Sequence, residues 1–202
     1  MAAGTTQRKQ AEETRAALLA AARQLFATQG YQATSIDDIT AKAGVTRGAL
    51  YHHFEDKSLL FRAVYEAFAS EWVQRERLLL AGAPDAWAQF RQMLHTHLGE
   101  AARSPEMQRI GLNDAPSALG LTAWRELSSR YGVGFFEEVL TRATNEGAIP
   151  RQPVTPVALM LLAALESVSL FIAEAPHPED ALQQSITALD RLLDGLTAPI
   201  ET

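Results

Sequence analysis

The chain has 202 residues, 47% hydrophobic and 21% charged, a balance that fits a globular protein and excludes a disordered one. It contains no cysteine, which excludes disulfides, thiolate nucleophiles and Cys-ligated metal centres. The net charge of −6 is uneven: residues 1–62 carry eight basic and six acidic side chains, the remainder ten and eighteen, so a mildly basic head precedes an acidic body. Met1 to Lys9 is polar and lacks the apolar core of a secretory signal. No uninterrupted apolar run approaches the ~20 residues of a membrane helix, so a soluble, cytoplasmic protein without membrane contact is expected.

Helical periodicity runs the length of the chain and strand alternation is lacking, which predicts an all-α protein of about nine helices. Leu18, Ala21, Ala22, Leu25 and Phe26 mark the buried face of a first helix over about residues 11–29, stopped by Gly30. Ser35 and Asp38 form a capping box for a second helix that Gly44 ends, with Asp37 and Asp38 complementing its dipole. Thr46 caps a third helix reaching Phe54. Two short helices about a tight glycine turn are the helix-turn-helix pattern. A fourth helix starts near Lys57 and breaks at Gly82 and Pro84; a fifth carries Trp87, Phe90, Leu94, His97 and Ala101 as far as Ser104 and Pro105. Pro116 and two glycines predict a short helix, a turn and a restart over residues 111–120. Trp124, Leu127, Tyr131, Phe135 and Val139 continue at helical spacing to Gly147, and Pro150, Pro153 and Pro156 form a stiff connection. Residues 157–165 hold no polar side chain, so that helix needs cover on all sides, yet the run is too short to span a bilayer. A last helix follows Pro176 and Pro178.

In the third helix Leu50 and Phe54 face inward with Ile39, Val45 and Leu60, leaving Arg47, Gly48, Tyr51 and His52 outside. A glycine early in a helix costs up to ~1 kcal/mol relative to alanine, and close approach of the backbone to another molecule would justify it. Arg47 presents a donor fork suited to a guanine edge or a phosphate. Tyr51 and His52–His53 can serve phosphate oxygens, Lys57 adds a cation, and Thr34 and Ser35 sit at a helix N-terminus that attracts phosphate. Each has a plainer reading: Ser35 and Thr46 as caps, Tyr51 as a packing residue, the histidines as a solvated face.

The stretch 26–60, FATQGYQATSIDDITAKAGVTRGALYHHFEDKSLL, resembles the DNA-binding domain of the tetracycline-repressor (TetR) family of bacterial transcription regulators. Gly30–Tyr31, Thr34–Ser35, Ile39, Ala43–Gly44–Val45, Gly48, Leu50–Tyr51, Phe54 and Lys57 fall at family positions. The resemblance covers about the first 60 residues; beyond them Asp114–Ala115–Pro116 through Trp124 and Tyr131 is similar to one group of members. It implies a helix-turn-helix domain over 1–62, a larger helical ligand-binding and dimerisation domain over 63–202, and a homodimeric, ligand-responsive regulator, usually a repressor. It further implies that Thr34 and Ser35 contact phosphate, that Thr46, Arg47, Gly48 and Ala49 face the groove, and that Tyr51, His52, His53 and Lys57 contact phosphate. Ile36 stands where some members carry a basic, base-reading residue. Arg8 and Lys9 are either a minor-groove arm or a solvated tail.

A two-fold dimer would set its recognition helices about one DNA turn, ~34–36 Å, apart on a near-palindromic operator of double-stranded DNA. Leu159, Ala163, Glu166 and Leu170, with Leu182, Ile186, Leu189 and Leu193 of the last helix, are the expected interface, since a monomer would expose a large apolar patch. A mostly apolar small-molecule effector is expected near Phe68, Trp72, Trp87, Phe90, His97, Asp114, Trp124, Tyr131 and Phe135, for each of which plain core packing is the simpler reading. No catalytic residue, metal site or cofactor is indicated: G-x-S-x-G, H-E-x-x-H and P-loop patterns are missing, and Gly132–Val133–Gly134 lacks both the third glycine and a preceding strand. A constitutive DNA-binding protein without a ligand and a helical enzyme are the alternatives.

Overall fold

The computed structural model describes residues 2–198, with side chains from residue 7, and places in them α1 (Ala2–Gln29), α2 (Ile36–Ala43), α3 (Arg47–His53), α4 (Lys57–Gly82) and α5 (Ala86–Arg103). A π-helical segment (Met107–Asn113), α6 (Ala115–Leu119), α7 (Leu121–Asn145), α8 (Val154–Glu174) and α9 (Pro178–Gly195) follow, and the described residues contain no strand. Packing divides them into two units: residues up to 68 together with 105–122, and 69–104 together with 123 onward. The units therefore do not follow chain order, because the segment 105–122 folds back into the company of α1.

In the first unit, Leu18, Ala22 and Phe26 of α1 are buried with Ile39 of α2, Leu50 of α3 and Leu60, Phe61 and Val64 of α4. Phe26, Tyr31 and Phe61 meet at ring distances of 5.1 to 5.8 Å. The expected caps form. Ser35 Oγ accepts from Asp38 N–H while the Asp38 carboxylate accepts from Ser35 N–H, and Thr46 Oγ1 accepts from Ala49 N–H. Gly44 takes φ 68°, the left-handed cap that closes α2.

Residues 107–113 are where local reading and structure part. Gly111 does not break the chain; it lies inside the π-helical turn, where a Cβ would come within 2.9 Å of Met107 Sδ and 3.2 Å of the Phe68 ring. The expected turn comes at Gly120, φ 81°, after the single short helix α6. The segment is pinned to α1 by Arg23 Nε, which donates to Glu106 at 2.6 Å, and by its buried Met107, Ile110 and Leu112.

The second unit packs α5 against α8 and α9, and α8 against α9. Gly132 of α7 admits Leu162 of α8 so closely that a Cβ there would lie 2.9 Å from its methyl groups, which is the role of the glycine in that Gly-Val-Gly step. α8 corrects one expectation: the apolar run extends into a helix of 21 residues whose most apolar window has mean hydropathy 2.1, long and apolar enough by composition to cross a membrane. Ala158, Leu161, Leu165, Ser169 and Ile172 form its buried stripe, the face that the described residues cover.

Candidate nucleic-acid interface

α3 presents a short edge to solvent. Arg47, Gly48, Tyr51 and His52 are exposed, and Ala49 and His53 half-buried, while Leu50 anchors the helix from below. Beside Gly48 a Cβ would meet nothing nearer than Thr46 Oγ1 at 4.0 Å, so no contact inside the chain calls for glycine there. Arg47 is held locally: Nη1 donates to Asp37 Oδ1 at 3.2 Å, Nη2 to Tyr51 Oη at 3.3 Å, and the guanidinium lies 5.7 Å over the Tyr51 ring. The hydrogen bond to the Tyr51 hydroxyl, then the Asp37 carboxylate, hold the Arg47 guanidinium in its charged form. By sequence position Asp37 is a helix-dipole residue; nothing periodic links it to Arg47 across the glycine turn, and its pairing emerges only in three dimensions.

Several candidate residues sit elsewhere than the surface reading placed them. Thr34 is 1% exposed, and its hydroxyl donates to the Gly30 carbonyl at 2.7 Å, so it braces the turn before α2 and its side chain cannot reach a phosphate. Ser35 is exposed, but its hydroxyl donates to Asp38 Oδ2 at 2.6 Å, and that bonding lowers the Asp38 pKa. Lys57 Nζ donates to the carbonyls of Tyr31 at 2.9 Å and Thr34 at 3.0 Å and sits 4.2 Å over the Tyr31 ring. Two of its three donors thus tie α4 to the turn before α2, leaving one for a phosphate. Thr46 is exposed beside Arg47. Arg8 and Lys9 lie within α1, Lys9 paired with Glu13 at 3.8 Å.

The candidate effector residues fall in both units. Phe68 and Asp114 belong to the first. Asp114 is no pocket group: its Oδ2 accepts from Tyr31 N–H at 2.7 Å, fixing the turn after α1. Trp72, Trp87, Phe90, His97, Trp124, Tyr131 and Phe135 belong to the second, where Trp87 stacks near Phe90 at 5.8 Å and Trp72 meets His97 edge to face at 5.1 Å.

Of the candidate interface residues, Leu182 and Leu193 are buried within their own unit, at 5% and 0%, and so cannot serve a partner. Leu159 and Ala163 are exposed; Glu166, Leu170, Ile186 and Leu189 are half-buried. Burial pushes the Glu166 carboxyl up, against a hydrogen bond from Ser128 and the charge of Arg125, and its Oε1 has no partner. The most open apolar side chains of this face are ones the sequence did not single out: Met160 at 69% and Phe171 at 57% on α8, and Leu192 at 62% on α9. Phe171 and Leu192 border a groove of about 420 Å³ lined also by Leu98, Leu165, Val168 and Leu189.

A short helix entered from a tight glycine turn behind a capped helix, its outer edge carrying arginine, glycine, tyrosine and histidine, defines a helix-turn-helix domain of the DNA-binding class. Comparison with known proteins gives the particular family. A family model described as bacterial regulatory proteins, tetR family, matches residues 18–64, and one described as the tetracyclin repressor-like C-terminal domain matches residues 87–196. A solved TetR-family transcriptional regulator from Pectobacterium atrosepticum superposes with a TM-score of 0.85 at 38% identity, over 95% of this chain and 98% of that one. The HTH-type transcriptional regulator AcrR of Shigella flexneri is 38% identical over 104 residues, 51% of this chain and 48% of AcrR. SrpR of Pseudomonas putida is 30% identical over 153 residues, 70% of this chain and 66% of SrpR. The chain thus matches about half to two thirds of the length of these two curated relatives. It belongs to the tetR family of bacterial regulatory proteins.

Proposed function

We propose that this protein is a ligand-responsive transcription repressor that binds a near-palindromic operator as a homodimer and is released from it by a mostly apolar small molecule. Residues 1–62 bind DNA, and 63–202 hold the effector and the partner copy. The observation that carries the DNA part is the α3 edge, where Arg47 and Tyr51 stand exposed with only local partners. On DNA the Arg47 fork exchanges Asp37 for a base edge, worth ~1–3 kcal/mol of discrimination, while the surrounding phosphate contacts supply affinity. The dimer part is supported by Leu159, Met160, Phe171 and Leu192, an apolar face on α8 and α9. Covering it with the same face of a second copy gives a closed two-fold assembly. An effector that binds one spacing of the two heads better than the other shifts the population away from the operator-binding form.

Sedimentation of the full chain with a labelled duplex taken from the DNA flanking its gene tests this reading. Two copies should bind each near-palindrome, with half-sites about one helical turn apart. Phe171→Asp with Leu192→Asp should dissociate the dimer and abolish operator binding. A single copy per site, or a doubly substituted chain that still binds as a pair, contradicts the proposal.

A further inference from the structure

Asp37 of α2 and Arg47 of α3 stand on either side of the glycine turn and form an ion pair on the edge that meets DNA. Arg47 Nη1 donates to Asp37 Oδ1 at 3.2 Å, Nη2 donates to Tyr51 Oη at 3.3 Å, and the guanidinium lies 5.7 Å over the Tyr51 ring. The neighbouring Asp38 is spent differently. Its Oδ2 accepts from the Ser35 N–H at 3.0 Å and from the Ser35 hydroxyl at 2.6 Å, which closes the cap of α2 without Asp37. A carboxylate on a surface that meets DNA repels phosphate, so the place of Asp37 beside the fork calls for a reason beyond capping.

What the pair does follows from what DNA offers Arg47. Binding without sequence preference comes from cations that neutralise phosphates and release counterions; an arginine matched to a carboxylate of its own chain adds nothing to that count. A phosphate offers Arg47 the same kind of charged oxygen as Asp37 does, and taking it would strand the carboxylate among like charges. A guanine edge offers two acceptors that fit the fork and favour the right base by about fivefold to 150-fold. The ion pair is weak enough to yield to that. With the Asp37 and Arg47 side chains 74% and 60% exposed, it holds by no more than about fivefold. Tyr51 keeps the fork at the surface when Asp37 lets go, so the exchange breaks a single hydrogen bond.

We propose that Asp37 is a specificity-determining residue: it withholds Arg47 from phosphate, so that the arginine strengthens binding only where a base edge is offered. The proposal rests on the base-reading role given to Arg47 above and adds the residue that confines it.

Anisotropy titrations across a range of salt provide the test, with the near-palindrome that the native chain selects from a randomised library and a shuffled duplex of the same composition. Asp37→Asn should tighten binding to the shuffled duplex about tenfold and to the selected one about threefold, so the preference between them falls about threefold. On the shuffled duplex its log–log salt slope should steepen by about 0.9, the mark of one more phosphate neutralised. In an Arg47→Ala background the same substitution should tighten both duplexes equally, by about threefold, since only relief of repulsion remains. An unchanged preference or slope in Asp37→Asn overturns the proposal, as does a rise on the shuffled duplex that is as large without Arg47 as with it. Arg47→Ala alone separates the proposal from the reading beneath it. Preference lost in Arg47→Ala but kept in Asp37→Asn leaves Arg47 as the base reader and overturns the role of Asp37. No preference in the native chain, or equal loss on both duplexes in Arg47→Ala, overturns both.

Discussion

Removing the Asp114 carboxylate tests whether the 105–122 segment holds the turn that leads into α2. Asp114 Oδ2 accepts from Tyr31 N–H at 2.7 Å, and the Tyr31 carbonyl accepts from Lys57 Nζ at 2.9 Å, so one peptide unit is gripped from both sides. A hydrogen bond to a charged acceptor contributes about 1.5–3 kcal/mol, and because Asp114 and Tyr31 are both half-buried the lower end applies. Asp114→Ala should therefore destabilise the turn by about 1.5 kcal/mol, and Asp114→Asn, which keeps an acceptor oxygen but loses the charge, by roughly half of that. The local assay is amide exchange at Tyr31: about tenfold faster in the alanine variant and about threefold in the asparagine variant. DNA affinity should fall in the same order, because the turn from Gly30 to Ser35 sets the start of α2, on which α3 is packed. Unchanged exchange at Tyr31 in Asp114→Ala, or equal effects from Ala and Asn, would refute the reasoning.

Three further outcomes follow from the same geometry. Asp37→Asn frees the Arg47 fork and removes a negative charge from the DNA-facing side, so affinity for any duplex should rise about threefold to tenfold while loss of the α2 dipole partner lowers stability by about 0.5 kcal/mol; fluorescence anisotropy showing weaker binding would count against it. The His97 imidazole has its pKa lowered from 6.5 to about 4 by burial, so on acidification the unfolded chain takes up a proton first. Stability should fall by about 3 kcal/mol between pH 6.5 and pH 4 on this account, and His97→Asn should lack that part of the loss in urea titrations. An identical pH profile in both proteins would show that the residue is not buried neutral. Gly30 has φ +85° and a Cβ there would lie 2.6 Å from Arg109 Nη1 and 3.3 Å from Asp114 Oδ2, so Gly30→Ala combines backbone strain with displacement of both side chains. It should cost about 1–2 kcal/mol or more in urea unfolding, and a neutral result would mean that the turn is not held as described.

What could be read from the sequence was local chemistry. Ser35 with Asp38, Thr46, and the glycine stop at Gly44 each act within four residues of themselves, and all three form the caps that their types predict. The inward set Leu18, Ala22, Phe26, Ile39 and Leu50 is equally local in origin, because periodicity alone selects the buried face. Residues that act at long range were misplaced or invisible. Asp114 lies 83 positions from the amide it holds, and Gly111 is needed by Phe68 rather than by a turn. Thr34 and Lys57 have the polarity of phosphate contacts, yet spend it on carbonyls of the turn before α2. On α8 an unbroken apolar run carries no information about which side packs inward, so Met160 and Phe171 could not be told from Leu161 and Leu165 before the helix was seen against α5 and α9.

The central claim is that the outer edge of α3 reads base sequence as one of a symmetric pair. Selection from a randomised duplex library with the native chain and with Arg47→Ala measures this directly. The native chain should enrich a near-palindrome with half-sites about 10 base pairs apart centre to centre, and Arg47→Ala should enrich a motif degenerate at the same position in both halves. Enrichment of a motif without two-fold symmetry, or of the same motif by both proteins, would contradict it.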